Sequence, residues 1–125
     1  EPGEEPAPEV LAAHVETLWE AYQKRSLDRA WPPRGFNHLI TSFYGFPFYS
    51  VGFEFEKAQR PEEAIASYHR ALKVAPHYAP TYRRLGYLEA RMGRHQAARD
   101  HLSDYLRVEP RAGDRDQVRE VLQGL

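Results

Sequence analysis

The 125-residue chain contains no cysteine, which excludes a disulfide framework, thiolate metal sites and cysteine nucleophiles. It has almost no net charge: the formal value is −1 and the sequence pI is near 6.7, so no global positive field points to nucleic acid. No apolar run approaches the roughly 18 residues that a bilayer-spanning helix requires. The phosphate-binding patterns GxxxxGK[ST] and GxGxxG are missing, as is the GxSxG nucleophile elbow. Six histidines, at 14, 38, 69, 77, 95 and 101, form neither HExxH nor HxH nor an i,i+4 pair, so no metal site is expected. Glu62-Glu63 is explained by a helix start and Glu4-Glu5 by a linker, so neither suggests paired catalytic carboxylates. Without a nucleophile, acid–base pair or cofactor loop, an enzymatic role and a cofactor are not expected.

What is present is a period. Gly52 recurs as Gly86, Ala64 as Ala98 and Pro76 as Pro110, each 34 positions on. Phe48 and Tyr82, Val51 and Leu85, Arg60 and Arg94, and Tyr68 and Leu102 keep their character at the same offset. Self-similarity at this period predicts an all-α array, one helix–turn–helix unit per repeat. The pattern of the first repeat predicts helix A from about Phe46 to Ala58, a turn at Gln59-Arg60, and helix B from Pro61 to Val74. Proline suits a first helical turn, and Glu62 and Glu63 suit the positive end of the helix. The second repeat predicts helix A from Pro80 to Met92, a turn at Gly93-Arg94 and helix B from Gln96 to Val108. A last helix is expected from Asp114 to Leu122, with Val118, Val121 and Leu122 on one side.

The flanks do not repeat. Residues 1–8, EPGEEPAP, have little to bury and read as a disordered acidic, proline-rich linker. From Glu9 to about Arg25, Leu11, Val15, Leu18 and Tyr22 fall at helical spacing, widened by Val10, Trp19 and His14. Residues 26–36, SLDRAWPPRGF, are expected to break any helix, with Trp31 packing over the end of the array. A short helix from Asn37 to Tyr44 with Leu39, Ile40 and Phe43 inward is one reading; Thr41 and the aromatics also suit a strand. Gly45 and Pro47 mark a fresh start. The aromatics Phe43, Tyr44, Phe46 and Phe48 are expected to pack into the core against the N-terminal segment. The chain begins at Glu1 and shows no signal peptide, which reads as a processed form or a piece of something longer. The compartment is left open between cytoplasmic and, for a tethered fragment, periplasmic or luminal.

These residues resemble the tetratricopeptide repeat. Its pattern of a large apolar residue, a leucine-glycine pair, small residues, an aromatic and a proline is met in repeat one by Phe48, Val51-Gly52, Phe55, Ala64, Tyr68, Ala71 and Pro76. Repeat two supplies Tyr82, Leu85-Gly86, Gly93, Ala98, Leu102 and Pro110. Three positions depart: Gln59 stands for the turn glycine, Glu89 for a tyrosine and Tyr105 for an alanine. The resemblance implies an α-α superhelical repeat of about six or seven helices: a capping segment over 9–44, repeats over 45–78 and 79–112, and a solvating helix over 113–125. It implies a non-enzymatic protein-interaction module holding a peptide or protein segment in a concave groove. The positions facing that groove map onto Tyr49, Phe53, Glu56 and Lys57, and onto Arg83, Arg84, Tyr87 and Arg91. Aromatics flanked by basic residues would suit a peptide with an acidic or C-terminal carboxylate end. The family's carboxylate-clamping members carry asparagines where this chain has Phe53 and Tyr87, so that type of clamp is not expected. A second reading is a soluble accessory or regulatory tail of a larger enzyme or membrane protein. Self-association through leftover aromatics stays open.

Overall fold

The computed structural model describes the backbone of residues 7–29 and 37–125, and side chains over 7–24 and 43–125. Among the described residues there are six helices and no strand: α1 Pro8–Arg29, α2 Asn37–Lys57, α3 Pro61–Val74, α4 Ala79–Arg91, α5 His95–Val108 and α6 Arg115–Gly124. They belong to two compact units, one ending at Ala75 and the other beginning at Pro76. In the first, α3 packs along α2, and α1 lies on α2. In the second, α4 pairs with α5, and α6 docks on α5.

The α2–α3 pair forms where the period places its small and large residues. Phe48, Val51, Phe55, Ala64, Ile65, Tyr68 and Ala71 are all buried. Gly52 brings the α2 backbone so close to α3 that an added Cβ would lie 2.4 Å from the Tyr68 ring. Proline at the first turn, Glu62 and Glu63 beside it and Lys73 in the last turn give α3 the charge order that its dipole favours. Unit two repeats the device: Gly86 faces Leu102, and Tyr82, Leu85, Ala98 and Leu102 are buried. At the far end, Val118 of α6 is fully buried while Val121 and Leu122 are half-buried.

Both interhelical turns have the same backbone. Gln59 has φ 61° and Gly93 has φ 78°, and each is followed by an arginine N–H that donates back to the helix, Arg60 to Phe55 O and Arg94 to Glu89 O, both at 2.9 Å. This is a left-handed helix end, which glycine adopts freely and glutamine only at a cost of roughly 1–2 kcal/mol. Gln59→Gly should therefore raise unit-one stability by about 0.5 kcal/mol, the relief being offset partly by glycine's larger unfolded-state entropy. Gly93→Ala should lower unit-two stability by about 1 kcal/mol. Urea melts of both variants check the pair; equal shifts of the same sign would contradict it.

Several expectations need correction. Helix α1 continues through Ser26–Arg29 instead of breaking there, because the two prolines lie further on and the SLDR stretch contains no breaker. No fresh start occurs at Gly45 or Pro47: α2 is one helix, and the strand alternative for its first part is excluded. Proline 47 cannot donate to the carbonyl of Phe43, but Ser50 Oγ donates to Phe46 O at 2.8 Å and the burial of Phe48 and Val51 holds the helix on its neighbours. Phe43 and Phe46 are not core residues; they are 81% and 59% exposed. Of the aromatic group, Tyr44 and Phe48 do join the N-terminal helix, with Trp19 centroids 4.9 and 6.2 Å away. The inward stripe of α1 runs through Val15 and Trp19, whereas Leu18 and Val10 face solvent. Of the expected 1–8 linker, Pro8 instead opens α1 and the Ala7 carbonyl accepts from Val10 and Leu11, while residues 1–6, the position of Trp31 and the side chains of Leu39 and Ile40 lie outside the described residues.

Candidate protein-binding faces

The helix-A residues that the resemblance places on the groove differ in their surroundings. On α2, Tyr49 is half-buried, its ring 5.9 Å from Tyr68 and 6.4 Å from Phe46. Phe53 is half-buried beneath the Lys57 ammonium, 5.1 Å from the ring centroid, and Lys57 also pairs with Glu54 at 2.8 Å. Glu56 accepts the Tyr68 hydroxyl at 2.9 Å, so it braces the helix pair. The α2 face therefore offers aromatic surface with the Lys57 ammonium over Phe53.

On α4 the arginines divide. Arg83 donates to Asp114 Oδ2 at 2.8 Å, and its guanidinium lies 5.6 Å over the Tyr105 ring. Tyr105 in turn donates to Asp114 Oδ1 at 2.7 Å. Burial, reinforced by that bond, pushes the Tyr105 phenol up to about 12, while the same bond and Arg83 hold the Asp114 carboxyl below its ordinary range. Arg83 thus ties α4 to α5 and to the start of α6. Tyr105, standing where an alanine is usual, was the sequence signal for this departure; its partner Asp114 was legible only as a helix cap, and it makes no side-chain cap bond. Burial also raises the half-buried Tyr87 phenol. Arg84 is half-buried and Arg91 exposed.

The packing residues of the repeat are buried, apart from Pro76 and Pro110, which are exposed just after the ends of α3 and α5. Glu89 is the exception in kind, a carboxylate 3% exposed. It meets His101 Nδ1 of α5 at 2.5 Å. The hydrogen bond to Glu89 raises the His101 pKa from its ordinary 6.5, against desolvation and with help from the charges of Glu89, Asp104 and Asp100. A pKa higher in the folded than the unfolded chain adds stability that is complete below about 6.5 and disappears as pH climbs through the folded value. Thermal midpoints should fall as pH rises from 6.5 through the raised folded pKa of His101, and His101→Gln should flatten that slope. A slope unchanged by the substitution would assign it to other groups.

None of the described helices is long and apolar enough to cross a membrane. Comparison with curated proteins returns no match to the chain. A family model described as tetratricopeptide repeat matches residues 55–123, more than half of the chain, from the end of α2 through α3 to α5 and most of α6. With the duplicated helix pairs, their glycine crossings and this match together, the chain belongs to the tetratricopeptide repeat family, whose members are typically non-enzymatic protein–protein interaction modules.

Proposed function

We propose that this chain binds a peptide or protein segment through a contact face on α2, built on Tyr49 and Phe53, and another on α4, built on Tyr87, Arg84 and Arg91. The observation that supports it is that Tyr49, Phe53 and Tyr87 are each half-buried, unlike Phe48, Phe55, Tyr82 and Leu85 of the same helices, which are sealed in the core. Rigid rings with part of their area still wet gain apolar contact on binding at little cost in side-chain entropy. Arginine beside them favours a ligand carrying a carboxylate. Arg83 contributes indirectly, because its guanidinium is engaged by Asp114.

The test is selection of peptides from a displayed random library against the whole chain, each hit resynthesised with a free or an amidated C-terminus. Affinities should fall for Tyr49→Ala, Tyr87→Ala and Arg91→Ala variants whose circular dichroism matches the parent. Single aromatic anchors are worth about 2 kcal/mol or more at hot spots, which is roughly thirtyfold in affinity. Peptides that bind all three variants as well as the parent would refute these faces. Amidated peptides that bind as well as free ones would refute the terminal-carboxylate preference alone.

A further inference from the structure

In unit one a half-open cavity of about 200 Å³ lies among α1, α2 and α3. Its walls are Ala12, Phe48, Val51, Ala66 and Ser67, and its rim carries Glu16 and Arg70. The void exists because α1 rests on α2 and meets α3 mainly through side-chain tips. Small residues, Ala12 and Ala66, line the seam where larger ones would have closed it. The rim is electrically complete. Arg70 donates to Glu16 through Nε at 2.7 Å and through Nη2 at 2.9 Å, and its guanidinium sits 5.4 Å over the Phe48 ring. This pairing lowers the Glu16 pKa and raises that of Arg70, so both stay charged together. The pocket is not a property of the repeat itself: 34 positions on, Ala66 and Arg70 become Asp100 and Asp104.

We infer that this cavity is a second recognition site, receiving one neutral aromatic or branched aliphatic side chain from a bound protein segment. Two observations choose that occupant. All of its walls except Ser67 present apolar carbon, and an apolar cavity of ~150 Å³ is large enough to accept a benzene-sized guest. The rim ion pair is closed upon itself, so a charged guest would find no uncompensated partner and would lose hydration on entry. The rim still assists recognition: a bidentate arginine pair holds α1 at a fixed distance from α3 and keeps the pocket from collapsing. This site is separate from the α2 and α4 faces proposed above and stands or falls without them.

The experiment uses the full chain with methyl-labelled alanine and valine, titrated with toluene and, separately, with N-acetyl-phenylalaninamide. The Ala12, Val51 and Ala66 methyl signals should shift saturably with both, while the Ala98 methyl in unit two stays still. Ala66→Phe, an exposed helix position whose new ring can fill the void, should abolish saturation, and Ser67→Leu provides a second filling variant should the first perturb folding. Absence of saturable shifts in the parent, equal shifts at Ala98, or saturation unchanged in the filled variants would overturn the site. Saturation by toluene but not by the blocked phenylalanine would overturn the side-chain occupant, leaving a free hydrocarbon as guest. Stronger binding of acetate or of propylguanidinium than of toluene would overturn the neutral chemistry.

Discussion

Gly52→Ala should destabilise unit one by about 3 kcal/mol, near the upper end of what overpacking a core costs. Helix propensity argues the other way, since replacing glycine by alanine inside an exposed helix gains roughly 1 kcal/mol. The sign of the measurement therefore decides which effect governs. The added methyl would lie 2.4 and 2.5 Å from two ring carbons of Tyr68 and 2.9 Å from a third. A flexible side chain could retreat from such a contact, but this ring has nowhere to go. Tyr68 is fully buried, its hydroxyl is bonded to Glu56, and Tyr49 lies against it. The helices must separate, and the contacts of Phe48, Val51 and Phe55 loosen with them. Both tryptophans, Trp19 and Trp31, precede Ala75 in the chain, so fluorescence-detected urea melts report on this half. A midpoint equal to or above the parent's would show that the crossing has slack and that propensity wins. In a Tyr68→Ala background the same glycine substitution should cost far less, because the clashing ring is gone; additive costs would mean the methyl strikes something else.

Gly86→Ala should cost unit two about 2 kcal/mol, a smaller loss for a physical reason. Its obstacle is Leu102, whose Cγ and Cδ2 would lie 2.6 and 2.7 Å from the new methyl. A leucine has other rotamers, so part of the overlap can be relieved. Relief is limited because the branch carbon itself is struck, because the Leu102 backbone nitrogen stands 3.4 Å behind it, and because Leu102 has no exposed surface. No tryptophan follows Pro76, so far-UV circular dichroism is the appropriate probe, with the fluorescence transition expected to move less. A loss as large as that at Gly52, or none, would contradict the distinction between a locked ring and a branched aliphatic chain.

These two glycines show what could be read without coordinates. A 34-position recurrence states which residues must be small and which large, because helix pairs of one design put the same contacts at the same phase. Helix identity, the turn positions and most of the buried set follow from it. The left-handed turn at Gln59 was visible too, since Gly93 occupies the matching place and points to the geometry that glutamine must adopt.

Other features depended on partners that no periodicity names. The resemblance placed Arg83 among the groove-facing residues, and its pairing with Asp114, 31 positions away, appears only in the structure. Arg70 and Glu16, 54 positions apart, close the rim of a cavity that no local pattern announces. Phe43 and Phe46 looked like core by composition and are exposed, while Tyr44 between them is packed against Trp19 and Tyr22. Successive residues on a helix point about 100° apart, so a run of aromatics fixes its own chemistry but not which rings face a neighbour. By itself the sequence determined the helix-pair repeat, its turns and its small-residue crossings, all consequences of local propensity and register. Tertiary structure alone decided which charges are already spoken for, which rings remain wet and where the helices fail to close, because those depend on how far apart whole helices come to rest.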